Sequence, residues 1–328
     1  MTKFAGNAMN TIPSTFNHNQ VSTTIIGGLL NPNPTALNIS VILLNSGNSH
    51  LRQQIFENLI TCNFSSIISV ERNTKNVGID ELSKKYPFVK FILPQEPATD
   101  GEIINIAMSE ISSDYVLVIR DNVYIPSGII LSHLAERLTK SNIYCVVPRL
   151  TDKNKNSLAC SYAPSAEHSK FVVYSSTLAT DSSSTLYPFD YIALYNRKKF
   201  IQLEGFDSSI TSPYWQNLDL SLRAWLWGEE IKLTTLLQFS YIDEPEIEDK
   251  TYNLDYLKFY LKNQLPKYKN DRAVLKKSHF LIFLFNSSCG FFEAKRQFKT
   301  AQKWVEKNKY RFKCDLQTLI SNWRSNSK

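Results

Sequence analysis

Short apolar runs alternate with amphipathic stretches along the first half of the chain. Residues 39–44 read ISVILL, a continuous apolar run typical of a strand buried on both faces. Residues 50–60 then carry apolar side chains at helical spacing. The order repeats, with strands predicted at 66–70, 89–93, 115–119 and 143–147 and helices at 79–86, 101–111 and 129–138. Strands alternating with helices in this way predict an α/β fold with a mostly parallel central sheet flanked by helices.

The rest of the chain divides into a leader, the end of the main domain and a C-terminal region. Residues 1–36 are rich in Asn, Thr and Pro, so we expect a loosely attached leader with an edge strand at 21–30. From 246 onward the pattern becomes helical and basic, which predicts a main domain at 37–245 and a helical extension at 246–328. Later elements follow a polar stretch at 151–185: strands at 191–195 and 231–237, and a helix through 218–224.

The net charge of +7 is unevenly distributed. Residues 246–328 contain 18 Lys and Arg against 8 Asp and Glu, whereas the preceding residues contain 19 against 22. One interpretation is a solvated helical surface. The other is attraction to an anionic partner, such as a lipid headgroup layer or a phosphorylated acceptor. The apolar run FLIFLF at 280–285 is too short to span a bilayer, and it is interpreted first as a buried helix segment and second as a membrane-dipping patch.

Cysteine usage and the N-terminal sequence suggest the compartment. The five cysteines are far apart and form no CxxC pair, which argues against a zinc site and against a disulfide framework. The first twenty residues contain no apolar run of signal-peptide length. We therefore expect a cytoplasmic protein, with peripheral contact to the inner face of the membrane as an open alternative. No nucleic-acid-binding motif is present, so nucleic acid is not expected as a partner.

Ligands of open α/β sheets bind beyond the carboxyl ends of the strands. In this chain those ends are the polar segments 45–49, 71–76 and 120–124. The sequence contains no GxGxxG and no Walker A motif, which excludes the usual dinucleotide and P-loop phosphate sites.

Several short motifs in order make the chain similar to family 2 glycosyltransferases over about 200 residues. The first strand leads into NSGN, and the second ends in IISVERN. Asn105-Ile106-Ala107 precedes the strand SDYVLVIRDN at 113–122. Gly205-Phe206-Asp207 is followed by QNLDLSLRA at 216–224. The resemblance implies a GT-A fold, which is Rossmann-like, and a site for a nucleotide sugar linked to UDP or GDP.

The resemblance also assigns site residues. Glu71 matches an acid that contacts the base and ribose, and Arg72 replaces a frequent second acid. The positions of the family's Asp-x-Asp pair fall on Arg120 and Asn122, with Asp121 between them. The family's Glu-Asp pair, which holds the catalytic base, falls on Gln216 and Asn217. Further expected contacts to the nucleotide sugar are Asn45, Asn105 and Gly205.

These replacements change the expected chemistry. Enzymes of this fold usually hold Mg²⁺ or Mn²⁺ on the Asp-x-Asp pair, because a hard cation prefers carboxylate oxygens. Replacing Asp by Arg120 and Asn122 makes the site three charge units more positive, so the sequence predicts no metal cofactor. Arg120 could itself pair bidentately with the diphosphate. Alternatively, it forms a structural ion pair with Asp121, Asp219 or Glu71.

Two acids remain as candidates for catalysis, Asp219 and Asp207. Asp219 lies near a predicted helix start, where it could instead compensate the helix dipole. Trp215 lies at the acceptor or base position and could stack on a sugar, although aromatic residues at this density are more often part of a core.

Two functions follow from these observations. The first is transfer of a sugar from a nucleotide sugar to a glycan, lipid or protein acceptor, without the usual metal site. The second is a non-catalytic GT-A-like module that binds a nucleotide, a glycan or a partner protein. The donor sugar, the acceptor, the stereochemistry and the oligomeric state are not determined by the sequence.

Overall fold

A computed structural model of the protein describes residues 21–29, 37–45, 52–72, 78–126, 132–168, 170–286 and 290–326. Its strands, in chain order, are β1 Thr23–Gly27, β2 Ile39–Asn45, β3 Ile67–Glu71, β4 Val89–Pro94, β5 Tyr115–Arg120, β6 Val123–Tyr124, β7 Cys145–Thr151, β8 Ser161–Glu167, β9 Lys170–Ser176, β10 Ala193–Asn196, β11 Ile231–Tyr241, β12 Lys267–Lys269 and β13 Arg272–Val274. Its helices are α1 Arg52–Thr61, α2 Ile79–Lys85, α3 Asp100–Ser109, α4 Ser132–Lys140, α5 Arg197–Gln202, α6 Pro213–Leu226, α7 Leu254–Phe259, α8 His279–Asn286, α9 Phe291–Asn308 and α10 Leu316–Asn326. A short 3-10 helix, Phe189–Tyr191, precedes β10, and a π-helical turn, Tyr260–Gln264, follows α7.

The main sheet has nine strands in the order β1-β4-β3-β2-β5-β10-β7-β11-β6. Neighbouring pairs among β4, β3, β2 and β5 are parallel, as is the pair β7 and β11. β10 runs antiparallel between β5 and β7. Because parallel neighbours end at the same edge, the ends of β2, β3 and β5 lie side by side there.

Both faces of the sheet are covered, which explains the uninterrupted apolar runs. β2 is buried along its whole length, as expected for a parallel strand between two helical layers. One core cluster lies on the face with α1 and α4, and a larger one lies on the face with α3 and α6. The larger cluster also contains Phe259, Phe298 and Trp304 from the C-terminal region. The residues before and after position 245 therefore share one hydrophobic core.

The α/β prediction is confirmed, and the edge strand expected at 21–30 is present as β1, antiparallel to β4. Other elements differ from those predicted from the sequence. The polar stretch at 151–185 contains the β8–β9 hairpin, which the sequence pattern did not predict. The strand expected at 191–195 begins with 3-10 helix and continues as β10, antiparallel to its neighbours. The predicted leader residues 1–20 and 30–36 lie outside the described residues.

The interpretation of 280–285 as a buried helix segment is only partly right. Phe283 is fully buried in the core, but Leu281, Ile282 and Phe285 are 59%, 51% and 84% exposed. Among the helices of the described ranges, none is long and apolar enough to cross a membrane.

Candidate functional site

The carboxyl ends of β2, β3 and β5 bring three of the predicted site residues to one edge of the sheet. Asn45 is in register with Glu71, and Leu44 is in register with Arg120. Glu71 is buried, accepts a hydrogen bond from Ser69 at 2.7 Å and forms an ion pair with Arg52. The Asn45 amide lies 3.4 Å from the same carboxylate. Two sequence motifs that are 26 residues apart are thus joined.

Two arginines converge on Asp100, the first residue of α3. The Arg120 Nη2 atom lies 2.8 Å from one carboxylate oxygen of Asp100, and Arg72 pairs with the other oxygen. Arg120 Nε also donates to Asp190 at 2.5 Å. Arg120 therefore does form a structural ion pair, as one of the two sequence interpretations allowed. Its partners, however, are Asp100 and Asp190 rather than Asp121, Asp219 or Glu71.

Burial shapes the titration of this cluster. It raises the pKa of the Asp190 carboxyl, although Arg120 and a 2.8 Å hydrogen bond from the Tyr241 hydroxyl oppose the change. Burial also lowers the pKa of Arg72, and the neighbouring positive charge of Arg120 acts in the same direction. Asp190 is held at a φ of 54°, in the left-handed region that non-glycine residues rarely adopt. A strained acidic residue beside a buried arginine is a feature that often marks a functional site.

The Arg120 side chain faces a cavity of about 170 Å³. We call this cavity the arginine cleft. Apart from Arg120, its charged lining residues are all acidic: Asp100, Asp190, Glu246, Glu248 and Asp249. The segment 246–249, which follows β11, supplies three of the five acids. The three-unit gain in positive charge that was inferred from the motif is therefore cancelled by acids from elsewhere in the chain.

Two polar residues of the cleft, Asn217 and Glu248, have features that suit contact with a ligand: an unsatisfied acceptor atom and a raised pKa. Asn217 is buried and donates to Pro188 O at 2.6 Å, but its Oδ1 atom accepts no hydrogen bond from any described residue. Burial raises the pKa of Glu248, although a 2.8 Å hydrogen bond from the Tyr187 hydroxyl and the Lys250 ammonium at 3.4 Å oppose the change. An unsatisfied buried acceptor is uncommon in folded proteins and is expected to meet a ligand or water.

Gln216 and Asn105 hold the scaffold around the cleft together. The Gln216 Oε1 atom accepts from Gly101 N at 2.9 Å, and its Nε2 atom donates to Ile210 O at 2.8 Å and to Asp207 O at 3.1 Å. A Cβ atom at Gly101 would overlap the Gln216 side chain, so the close approach requires glycine. Asn105 exchanges two hydrogen bonds with the backbone of Phe206, at 2.8 and 2.9 Å. These side chains bind α3 to the loop before α6.

Asp219 and Asp207 share a lysine that was not singled out in the sequence. Lys262 Nζ lies 2.5 Å from Asp207 and 3.0 Å from Asp219. Asp219 also pairs with Arg223 at 3.0 Å and accepts from Asn263 at 2.7 Å. Burial alone would raise the pKa of Asp207, but the Lys262 ammonium and hydrogen bonds from Ser209 lower it. Both candidate catalytic acids are thus buried in one ion cluster, and neither lines the arginine cleft.

The remaining predicted site residues lie in or near this framework. Trp215 is buried within an aromatic cluster that includes Tyr256 and Phe259, and it donates to Thr251 O at 2.8 Å. Gly205 has a φ of 64°, and its carbonyl accepts from Arg223 at 2.9 Å.

Asp121 and Asn122 follow β5 directly. Asp121 is buried, and its backbone N–H donates to Leu44 O at 3.2 Å. The carbonyl of Asn122 accepts from Ile242 N at 2.8 Å.

Arg120 stands where the sequence resemblance would place the first acid of an Asp-x-Asp pair, and it pairs with the carboxylates of both Asp100 and Asp190. A guanidinium in that place repels a cation and occupies the oxygens that would bind it. Within the part of the chain that the structure describes, no group of three or more His, Cys, Asp or Glu side chains is arranged to hold a metal.

A second and larger cavity, of about 430 Å³, lies beside Asp207 and is bounded on one side by α9. We call it the lysine cavity. Its charged lining residues are four lysines and two acids: Lys258, Lys262, Lys303, Lys307, Glu102 and Asp207. Ser208, Ser209, Gln297, Thr300 and Trp304 also line it. The lysine cavity and the arginine cleft thus carry opposite charge balances.

Most of the residues that form ion pairs in the arginine cleft and beside the lysine cavity were not identified from the sequence. Asp190 and Lys262 lie 70 and 55 residues from the residues that they pair with, and neither belongs to a motif. Thr99 and Glu102 do have a signal, because they form a capping box that fixes the start of α3 at Asp100. That signal locates Asp100 on a helix but does not indicate that two arginines approach it.

Comparison with known proteins identifies the fold. No family model matches the chain, and no curated protein matches it. Among solved structures, the chain is similar to GalNAc-T7 with UDP, GalNAc and Mn²⁺, at 11% identity and a TM-score of 0.54. The match covers 86% of this chain and 60% of that one. S. aureus TarS matches at 12% identity and a TM-score of 0.48, over 79% of this chain and 42% of that one.

The fold assignment rests on the first of these two similarities. The chain has the α/β architecture of GT-A-type glycosyltransferases, with the large, mostly parallel sheet flanked by helices. It spans about 60% of the length of GalNAc-T7. At 11% identity the likeness establishes a common fold and not a common activity.

Proposed function

We propose that the chain binds a nucleotide sugar at the carboxyl ends of β2, β3 and β5 and transfers the sugar without the usual metal. The observation that carries the proposal is the convergence of Arg72 and Arg120 on one carboxylate, at the position of the family's Asp-x-Asp motif. Guanidinium groups match the geometry of phosphate oxygens, so a diphosphate can take over the N–H groups that Asp100 now holds. The N-terminus of α3 lies at the same point and favours an anion.

Transfer also needs a base that accepts the proton of the acceptor hydroxyl. Gln216 and Asn217 cannot ionise, and Asp207 and Asp219 are neutralised by Lys262 and Arg223. Glu248 lines the arginine cleft together with Asn217, and burial raises its pKa. A carboxylate with a raised pKa is a better base than one in free solution. We assign Glu248 as the candidate base.

Calorimetry with UDP, GDP and their sugars, in EDTA and in Mn²⁺, tests the donor site. We expect binding in EDTA that Arg120→Ala weakens by about tenfold or more, because hydrogen bonds to charged groups contribute about 1.5–3 kcal/mol. Arg137→Ala is the matched control, since Arg137 is an exposed arginine on α4 outside the cleft. Binding that requires Mn²⁺ and survives Arg120→Ala would refute the proposal.

Transfer assays with a panel of nucleotide sugars test the chemistry. Glu248→Gln should abolish transfer while UDP affinity is retained. In the unchanged protein the rate should rise with pH through the raised pKa of Glu248, because only the ionised carboxylate accepts a proton. If Glu248→Gln still transfers sugar, and its rate rises with pH as in the unchanged protein, Glu248 is not the base.

A non-catalytic module remains the second candidate function. It is favoured by Gln216 and Asp219, which are buried and hydrogen-bonded to Gly101 and Asn263, so that both side chains serve as scaffold. This candidate predicts metal-independent binding of UDP or GDP with no turnover of any donor. The calorimetry and the transfer assay together therefore separate the two functions.

The α8–α9 hairpin supports a peripheral contact with an anionic bilayer. Large apolar side chains are exposed on both helices: Leu281, Ile282, Phe285, Phe291 and Phe292. Lys276 and Lys277 precede α8, and Lys295 and Arg296 lie on the first turns of α9. Exposed aromatic groups beside lysines match the interface of a membrane that contains anionic lipids.

Co-sedimentation of the full-length protein with vesicles tests this contact. We expect binding to phosphatidylserine vesicles that the double substitution Phe285→Ser and Phe292→Ser abolishes. Leu178→Ser is the matched control, because Leu178 is 81% exposed but lies after β9, in another part of the chain. Equal sedimentation of the double variant and the control would exclude the hairpin as the binding surface.

A further inference from the structure

The lysine cavity has the size and the chemistry of a ligand site that is separate from the arginine cleft. Its volume of about 430 Å³ lies within the range of about 300–1,000 Å³ that small-molecule pockets occupy, whereas the cleft is smaller. The two cavities have no lining residue in common. A ligand in one therefore does not require contacts in the other.

The charge of the cavity favours an anion. Asp207 is already neutralised by Lys262 at 2.5 Å, and Lys258 pairs with Asp255 at 3.1 Å. Lys303, in contrast, has no ion-pair partner among the described residues and is exposed at the cavity wall. Lys307 lies one helical turn further along α9, 3.6 Å from Glu204 and 58% exposed. Positions four apart on a helix face the same way, so both ammonium groups can reach one ligand.

The uncharged part of the lining favours hydroxyl groups. Ser208, Ser209, Thr300 and Glu102 line the cavity. The Thr300 hydroxyl donates to Arg296 O at 3.0 Å and can still accept, and Glu102 accepts from Thr99 through its Oε2 atom, which leaves its Oε1 atom for a ligand. Hydroxyls both donate and accept hydrogen bonds, and a carboxylate accepts them, which are the groups needed to bind sugar hydroxyls. Trp304 and Leu261 supply an apolar part of the wall.

We propose that the lysine cavity binds an anionic sugar, one that bears a phosphate or a carboxylate, through Lys303 and Lys307. The anionic group lies between the two ammonium groups, and the sugar ring occupies the part of the cavity lined by Ser208, Ser209 and Glu102. This binding does not depend on nucleotide-sugar binding or on transfer.

Calorimetry with glucose 6-phosphate, glucuronate, glucose and inorganic phosphate tests the proposal on the full-length protein. At least one of the two charged sugars should bind, and more tightly than both glucose and inorganic phosphate. The two charged sugars distinguish a phosphate from a carboxylate as the preferred group. The double substitution Lys303→Gln and Lys307→Gln should weaken that binding by about tenfold, because both ammonium groups are exposed and exposed ion pairs contribute less than buried ones. Lys299→Gln, an exposed lysine of α9 outside the cavity, should leave it unchanged.

A second variant tests the cavity by shape rather than by charge. Thr300 is exposed on α9 and lines the cavity, so Thr300→Phe should fill part of it and abolish binding without disturbing the core. UDP affinity, measured on the same samples, should be unchanged in every variant of the cavity, which separates this proposal from that for the donor site. The proposal is overturned if neither charged sugar binds, if glucose or inorganic phosphate binds as tightly, or if the lysine and Thr300 variants retain full affinity.

Discussion

The arginine cleft and the lysine cavity each include a residue from the first turn of α3, Asp100 and Glu102, and they differ in both charge and size. In the cleft one arginine faces five acids around about 170 Å³, whereas the cavity combines four lysines with two acids around about 430 Å³. The motif containing Arg120 suggested a positive site, yet the acids around it come from other parts of the chain. The local potential of a site therefore depends on the side chains that the fold gathers there and not on the motif alone.

The two regions also differ in how their ionic groups are used. At the cleft, Asp100 and Asp190 hold Arg120, and Asp100 also pairs with the partly exposed Arg72, so in our proposal a diphosphate replaces Asp100 as the partner of both arginines. Beside the cavity, Lys262 is buried between Asp207 and Asp219 and stabilises the junction between α6 and the C-terminal region. The following substitutions probe this difference, beginning with the largest expected effect.

Lys262→Met should lower the free energy of unfolding by about 3–5 kcal/mol, because it leaves Asp207 and one side of Asp219 buried without a counter-charge. Urea denaturation measures the change. Lys299→Met, at an exposed position of α9, should change the stability by less than about 0.5 kcal/mol. A loss below about 1 kcal/mol in Lys262→Met would mean that the ion cluster does not hold the two regions together.

Gln216→Glu should destabilise the fold by about 2–3 kcal/mol, although it places an acid where the sequence resemblance would put one. The Nε2 atom of Gln216 donates to the carbonyls of Asp207 and Ile210, and a carboxylate oxygen cannot donate in its place. Thermal unfolding measures the loss, with Gln202→Glu on the exposed side of α5 as the control. Unchanged stability would indicate that position 216 tolerates the carboxylate and that its role is not that of a scaffold.

Asp190→Asn should tighten UDP binding by about fivefold, or about 1 kcal/mol, because it removes a negative charge that competes for Arg120. The Asn side chain can still accept from Arg120, so the arginine should keep its position. Calorimetry at low salt measures the gain, which should shrink as salt is added. Weaker binding would show that Asp190 positions Arg120 for the ligand rather than competing with it.

The pH dependence of stability should have opposite signs in the two regions. The pKa of Asp207 is lowered in the folded state, so its contribution is present above its ordinary value of 3.8 and is lost as the pH falls. The pKa of Asp190 is raised, so its contribution is present at low pH and is lost as the pH rises through the folded value. Around pH 3.8, the stability of the unchanged protein should rise with pH relative to Asp207→Asn and fall with pH relative to Asp190→Asn. Urea unfolding measures the stability at each pH. If the unchanged protein and both variants show the same change of stability with pH, Asp207 and Asp190 do not act in opposite directions.

The sequence determined the architecture because the signal for it is local. The apolar runs of β2, β3, β4 and β5 and the amphipathic helices between them specify a parallel sheet covered on both faces, and the structure confirms this. The motifs around Glu71, Arg120 and Gly205 also lie around the start of α3, where strand ends must meet. By contrast, the antiparallel insertion of β10 depends on pairing with β5 and β7, which are distant from it in the chain, and periodicity does not encode such pairing.

Only the tertiary structure determined the electrostatics of the two regions. A motif reports the residue at a position, but the charge that it experiences comes from partners such as Asp190 and Lys262, 70 and 55 residues away. Burial then sets the direction of each pKa shift, and burial is a property of packing. The roles of Asn105 and Gln216 follow the same rule, because hydrogen bonds to the backbone of residues 206, 207 and 210 make them part of the scaffold. The sequence by itself thus specified the sheet and the edge where its parallel strands end, and the three-dimensional contacts determined which charges lie there.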